Sequence, residues 1–254
     1  MNTMTRFKTL TTGALFVFSC GLSFHAASAP QGQTDMNHQQ TVSETLSARQ
    51  QAIPLIAAYM ASSQMEKLNA ALNQGLDAGL TINETKEILV QLYAYTGFPR
   101  SLNALTELMK VVEERKQRGI HDVLGKEPVN PVPVGDELRR VGTANQTKIS
   151  GAPVKGPVFE FAPVINQFLQ THLFGDIFAR DNLDWQSREL ATVGALAATP
   201  GVEAQLLSHT RASLRVGLSA GQLRQLVQVL RDKGESAAAA RAENALQKAQ
   251  PDAK

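Results

Sequence analysis

Gly79-Leu80-Thr81-Ile82-Asn83-Glu84 and, 138 positions later, Gly217-Leu218-Ser219-Ala220-Gly221-Gln222 are the two stretches that decide how this chain folds. In each, a hydroxyl residue stands three positions before a Glu or Gln. That spacing is a capping box: hydroxyl and side-chain carbonyl each accept from a backbone N–H that the first helical turn leaves free. The glycine two residues before each cap is the residue that ends a preceding helix in the left-handed conformation. Working outward at the same offset, Ala57 falls on Ala195, Leu68 on Leu206 and Leu76 on Leu214. Caps, glycines and apolar positions all coincide, which predicts two tandem helical repeats. Each has the order helix, helix, glycine turn, capped helix, helix. No window alternates β-branched residues with a period of two, so the predicted class is all-α.

The first repeat is placed at residues 44–118 and the second at 159–250. Residues 119–158 hold Pro128, Pro131, Pro133, Pro153 and Pro157 with Gly135, Gly142, Gly151 and Gly156. This composition reads as a crossover with room for one helix, around Asp136 to Ala144.

Residues 1–29 read as a secretory signal peptide. Arg6 and Lys8 precede the apolar run Thr12 to Leu22, and Ala26-Ala27-Ser28-Ala29 forms a small-residue exit. The apolar run is shorter than the roughly 20 residues a membrane span needs. A periplasmic or secreted location is therefore expected, with no membrane attachment after cleavage. Residues 30–43, polar and rich in Gln, read as a disordered tail. The first 29 residues hold two of the 25 basic side chains and none of the 23 acidic ones, so the remainder is electrically balanced. No basic stripe interleaves with aromatics, which argues against nucleic acid as a partner. The single cysteine, Cys20, lies within the signal, so the mature chain has neither a disulfide nor a thiolate. The five histidines are scattered and no metal site is expected. No glycine-rich phosphate loop is present either, and no cofactor is expected.

Three segments carry a family resemblance. Tyr95-Thr96-Gly97-Phe98-Pro99, followed by Asn103-Ala104, resembles a signature of carboxymuconolactone decarboxylases. Leu173 to Asp184 resembles the segment that introduces that domain. Arg188-Glu189-Leu190 with His209 to Gly217 resembles its core. The family belongs to the alkylhydroperoxidase D-like superfamily, one branch of which decarboxylates a carboxylated lactone while the other is a thiol peroxidase. The peroxidase branch uses a Glu, a CxxC pair and a His. The resemblance puts the Glu on Glu189, the His on His209, and the thiols on Val202 and Gln205. Neither of those last two can form a thiolate, so hydroperoxide reduction is disfavoured.

Glu189 and His209 are thus the candidate catalytic residues. Glu189, Val193 and Leu196 share one helix face, and Leu206, His209, Ser213 and Val216 share another. A carboxyl on an apolar stripe is expected to have a raised pKa, and an imidazole beside it to favour its charged form. Such a pair could protonate an enolate carbon after loss of carbon dioxide. The alternative is a buried pair that only pins two helices. Candidate substrate-binding residues are Arg180, able to grip a carboxylate in bidentate fashion, and Asp176, Tyr95 and Asn103. Asp176 and Arg180 could instead be an exposed pair one turn apart. His172, among Phe168, Leu169, Leu173 and Phe174, reads as a packing histidine, and Trp185 as packing at its helix start.

Two functions remain. One is a cofactor-free lyase acting on a small carboxylated lactone or keto acid. The other is a non-catalytic, oligomeric binding or scaffold protein of the same fold. Self-association is expected from the paired apolar helix faces, and the resemblance implies a homotrimer for a duplicated chain.

Overall fold

The computed structural model describes residues 44–250, which are helical with no strand among them. The expected signal peptide and polar tail lie outside the described residues. In chain order the helices are α1 (Ala48–Ala61), α2 (Met65–Asp77), α3 (Ile82–Gln91), α4 (Tyr93–Thr96) and α5 (Phe98–Gln117). Then come α6 (Gly135–Ser150), α7 (Pro157–Phe161), α8 (Pro163–Phe168) and a π-helix (Leu169–Ile177). The last four are α9 (Trp185–Ala198), α10 (Glu203–Arg215), α11 (Ala220–Asp232) and α12 (Ser236–Ala249).

Both capping boxes form. Thr81 starts α3 with Glu84, Ser219 starts α11 with Gln222, and the two cap residues share φ −81° and ψ 159°. Gly79 and Gly217, at φ +93° and +100°, make the turns before them. The centre of the molecule is the pairing of α1 with α9. From Ala52 to Ala61 every residue of α1 is buried, as is every residue of α9 from Ser187 to Ala197. A helix that is covered on all sides must be enclosed by others. On one flank α2 packs on α1 and α5, with α3 also on α5. On the other, α10 and α12 pack on α9, and α11 on α12. A single apolar cluster, from Leu46 to Leu246, runs through both flanks.

The helix expected near Asp136 to Ala144 extends over Gly135–Ser150. Gly142 weakens a lone helix, and tertiary packing accounts for its place in this one. It presses α6 onto the π-helix so closely that a Cβ would overlap the Gln170 carbonyl oxygen and come within 2.9 Å of the Gly175 nitrogen. Helix propensity is sacrificed for approach distance. A second, smaller core forms around this crossing from Ile149, Leu173, Phe174, Ile177, Phe178 and Ala212. Gly142→Ala is therefore expected to destabilise the protein by about 1–3 kcal/mol, although alanine is the better helix former. Thermal melts check this; an unchanged or raised Tm would show that the crossing relaxes freely.

Candidate functional site

Asp184 caps α9, its carboxylate accepting from the Ser187 backbone N–H at 2.7 Å. That cap fixes the helix start, and the next turn carries Arg188 and Glu189 into the interior. Both are 0% exposed. Neighbouring residues on a helix point about 100° apart, so the two charges enter different surroundings.

Glu189 meets α10. Its Oε2 lies 2.9 Å from His209 Nδ1, with the His209 side chain 15% exposed. An ionised carboxylate can only accept, so Nδ1 carries a proton and Nε2 is the ring nitrogen left for other partners. Tyr95 stands edge-on to the imidazole, with ring centroids 5.2 Å apart. Its hydroxyl is buried beside Thr192, and Glu189 Oε1 is buried and accepts no hydrogen bond. Burial, reinforced by the charge of Glu189, pushes the Tyr95 phenol well above its ordinary pKa. Tyr95 therefore stays a neutral hydroxyl beside the carboxylate. It arrives from α4, in the half of the chain that supplies neither member of the pair.

Outward from His209 lies a cavity of about 270 Å³. Its walls come from α10 (Ser208, His209, Arg211, Ala212, Arg215), the end of α6 and the segment after it (Ile149, Ser150, Val154), and Phe174 of the π-helix. A larger groove of about 410 Å³ between α10 and α12 includes neither Glu189 nor His209.

Arg188 enters a buried polar network that the sequence does not announce. Its Nη2 donates to Glu87 Oε1 and to the Arg180 carbonyl, and Nη1 donates to Gln91 Oε1, all at 2.9 Å. Glu87 also accepts from Arg180 Nε at 2.9 Å and Asn182 Nδ2 at 3.1 Å. Gln91 returns across the helix pair, donating to the Arg188 carbonyl and the Thr192 hydroxyl. Burial pulls the Arg188 guanidinium below its ordinary pKa, and the charge of Glu87 opposes that shift. Glu87 and Gln91 are one turn apart amid Ile88, Leu89 and Leu92, all fully buried. A polar pair on an apolar stripe is the signal that could have found them.

The network changes the reading of Arg180. Its Nε is engaged by Glu87, which ties the guanidinium to the interior network and away from the walls of the His209 cavity. Nor does it pair with Asp176, whose carboxylate lies 2.7 Å from His172 Nδ1 on the protein surface. His172 is accordingly no packing residue. Its side chain is 48% exposed and leans on the Tyr93 ring at 5.5 Å. Asn103 lies on the exposed face of α5 with no hydrogen bond to the Glu189–His209 pair. Trp185 does pack at its helix start, edge-on to Phe178 and under the Lys148 ammonium. Among the described residues no cluster of His, Asp or Glu could hold a metal ion.

No curated protein matches the chain. Residues 163–248, which contain Arg188, Glu189, His209 and the arginine-bearing wall of the cavity, match the model of the carboxymuconolactone decarboxylase family. Across that segment the chain is similar to the carboxymuconolactone decarboxylase family.

Proposed function

We propose that the protein is a cofactor-free acid–base enzyme that decarboxylates, or performs a related lyase reaction on, a small carboxylated lactone or keto acid. The observation that carries this is the position of His209: Nδ1 is held by a buried carboxylate while the ring borders a cavity. The cavity is smaller than the roughly 300 Å³ where drug-sized pockets begin, which favours a compact substrate. When the substrate loses carbon dioxide, the electron pair of the broken C–C bond stays on the substrate as an enolate. The imidazolium of His209, its charge offset by Glu189, donates the Nε2 proton to that carbon, and the neutral ring is recharged from water. Tyr95 packs against the ring face and limits its rotation.

Thiol-peroxidase chemistry has no support, since Val202 and Gln205 occupy the positions where the family resemblance puts the thiols. Export and self-association complete the proposal. Exposed Phe98, Leu102 and Met109 on α5, and Phe161, Val164, Ile165 and Phe168 around α7 and α8, support a second copy covering these faces. The competing reading is a non-catalytic binding protein, favoured by the unbonded buried oxygen Oε1 of Glu189, which marks a site that is not fully satisfied by its own chain.

The test is a screen of purified protein against small lactone and keto carboxylates for release of carbon dioxide. Turnover by the parent should fall at least about 100-fold in His209→Gln, the scale of a lost general acid. Ligand binding in the parent without release of carbon dioxide from any candidate would favour the binding protein.

A further inference from the structure

We propose that Arg211 and Arg215 form the anion-holding wall of the His209 cavity, and that the ligand they select is a small organic carboxylate. The inference rests on the acid–base reading of that cavity and adds the groups that would choose its substrate.

Three observations carry it. Both arginines line the cavity together with His209, and no acidic residue does. Among the described residues neither makes an ion pair, whereas Arg180 and Arg188 both pair with Glu87 and Arg115 with Asp77 and Asp122. Finally, each is anchored at the C-terminal end of another helix without being used up there. Arg215 Nη1 donates to the Ile149 carbonyl of α6 at 3.4 Å, and Arg211 Nη2 donates to the Lys248 carbonyl of α12 at 3.3 Å. A guanidinium has five N–H donors, so one long bond leaves most of the fork available.

Arg215 is held further by the residue after α6. Gly151 is left-handed at φ +81°, and a Cβ there would lie 2.6 Å from Arg215 Nε. The backbone thus makes room for the guanidinium stem, and the arginine follows α6 rather than waving in solvent. The crossover segment therefore does more than join two halves: it sets the wall opposite His209. Arg211 and Arg215 are one helical turn apart, so their side chains leave the same face of α10. A carboxylate between them and His209 receives charge-assisted, fork-like hydrogen bonds.

The opposing explanation is that both arginines merely cap α6 and α12, where the last carbonyls favour a cation. The two explanations differ in what they move. The experiment titrates the protein with glutarate and with the uncharged diamide of the same shape, glutaramide. It follows calorimetric heat and the NMR signals of the His209 ring, with Arg211→Gln and Arg215→Gln beside the parent. Expected is binding of glutarate, no binding of glutaramide, and affinity about tenfold weaker in each variant, the scale of one lost charge-assisted hydrogen bond. Thermal melts of the free variants should stay near the parent.

Variants that bind glutarate as the parent does, or a parent that binds both compounds equally or neither, would overturn the proposal, whatever happens to the melts. Failure of the acid–base reading has a different signature. Glutarate would bind and depend on both arginines, while the His209 signals stayed fixed at saturation.

Discussion

Glu87→Gln is expected to cost about 3–5 kcal/mol of stability, the scale of breaking a buried ion pair from one side. In a chain of this size that lowers the Tm by roughly 10 °C. Arg188 is fully buried, and Glu87 is its only acidic partner among the described ion pairs. Gln keeps the shape of the side chain and can still accept at its one remaining oxygen. It cannot balance two guanidinium groups, and its amide nitrogen has only donors to offer to Arg180 or Asn182. The loss should come mainly from the stranded charge on Arg188. A companion experiment isolates that cause. Glu87→Leu combined with Arg188→Met removes both charges together and should recover much of the loss, because matched apolar groups carry no desolvation penalty. If the double variant melted lower than Glu87→Gln, hydrogen bonding to Gln91 and Asn182, rather than charge balance, would be the stabilising part.

Glu189→Gln is expected to do the opposite: little change in the melt, with turnover or ligand response reduced by about two orders of magnitude, the lower range for a general acid–base group. Shape is retained, and the amide oxygen can still accept from His209 Nδ1. What disappears is the negative charge that stabilises an imidazolium when the ring holds the proton to be delivered. The purely architectural role predicts the reverse ordering. Glu189→Gln would then be mild in every assay. His209→Ala would destabilise by about 1–3 kcal/mol through a cavity and an orphaned carboxyl. Running both variants through melts and a turnover or binding assay separates the cases. A parent with no ligand and no turnover, combined with a melt that drops for His209→Ala and stays near the parent for Glu189→Gln, would decide for architecture.

The helices were legible because their start signals are local. A hydroxyl and a Glu or Gln three residues apart specify a cap whatever surrounds them, and α3 and α11 begin where Thr81 and Ser219 predict. The family resemblance put Glu189 and His209 on helix faces that do meet. What stayed hidden depends on partners far apart in the chain. Arg180 lies 93 positions from the carboxylate that holds it, and Arg188 lies 101 from the same group. No local window offers Glu87 to either one. The arginines of the cavity were missed for a related reason. Arg211 and Arg215 read as ordinary surface residues of an amphipathic helix until α6 crosses over them. Gly142 is a related case: its effect on a lone helix and its effect at a crowded crossing have opposite signs.

The cross-bonding of Glu87 to Arg188 and Arg180 also bears on how such a chain can evolve. One half holds the carboxylate and the other holds both guanidinium groups, with Glu87 and Arg188 enclosed where water does not reach. Once that exchange existed, neither half could shed the other without exposing an unneutralised group, so separation into independent genes would be opposed at the first step. Drift is constrained accordingly. Substitutions at these three positions should be tolerated only as a set, whereas the capped helices around them remain free to vary one residue at a time.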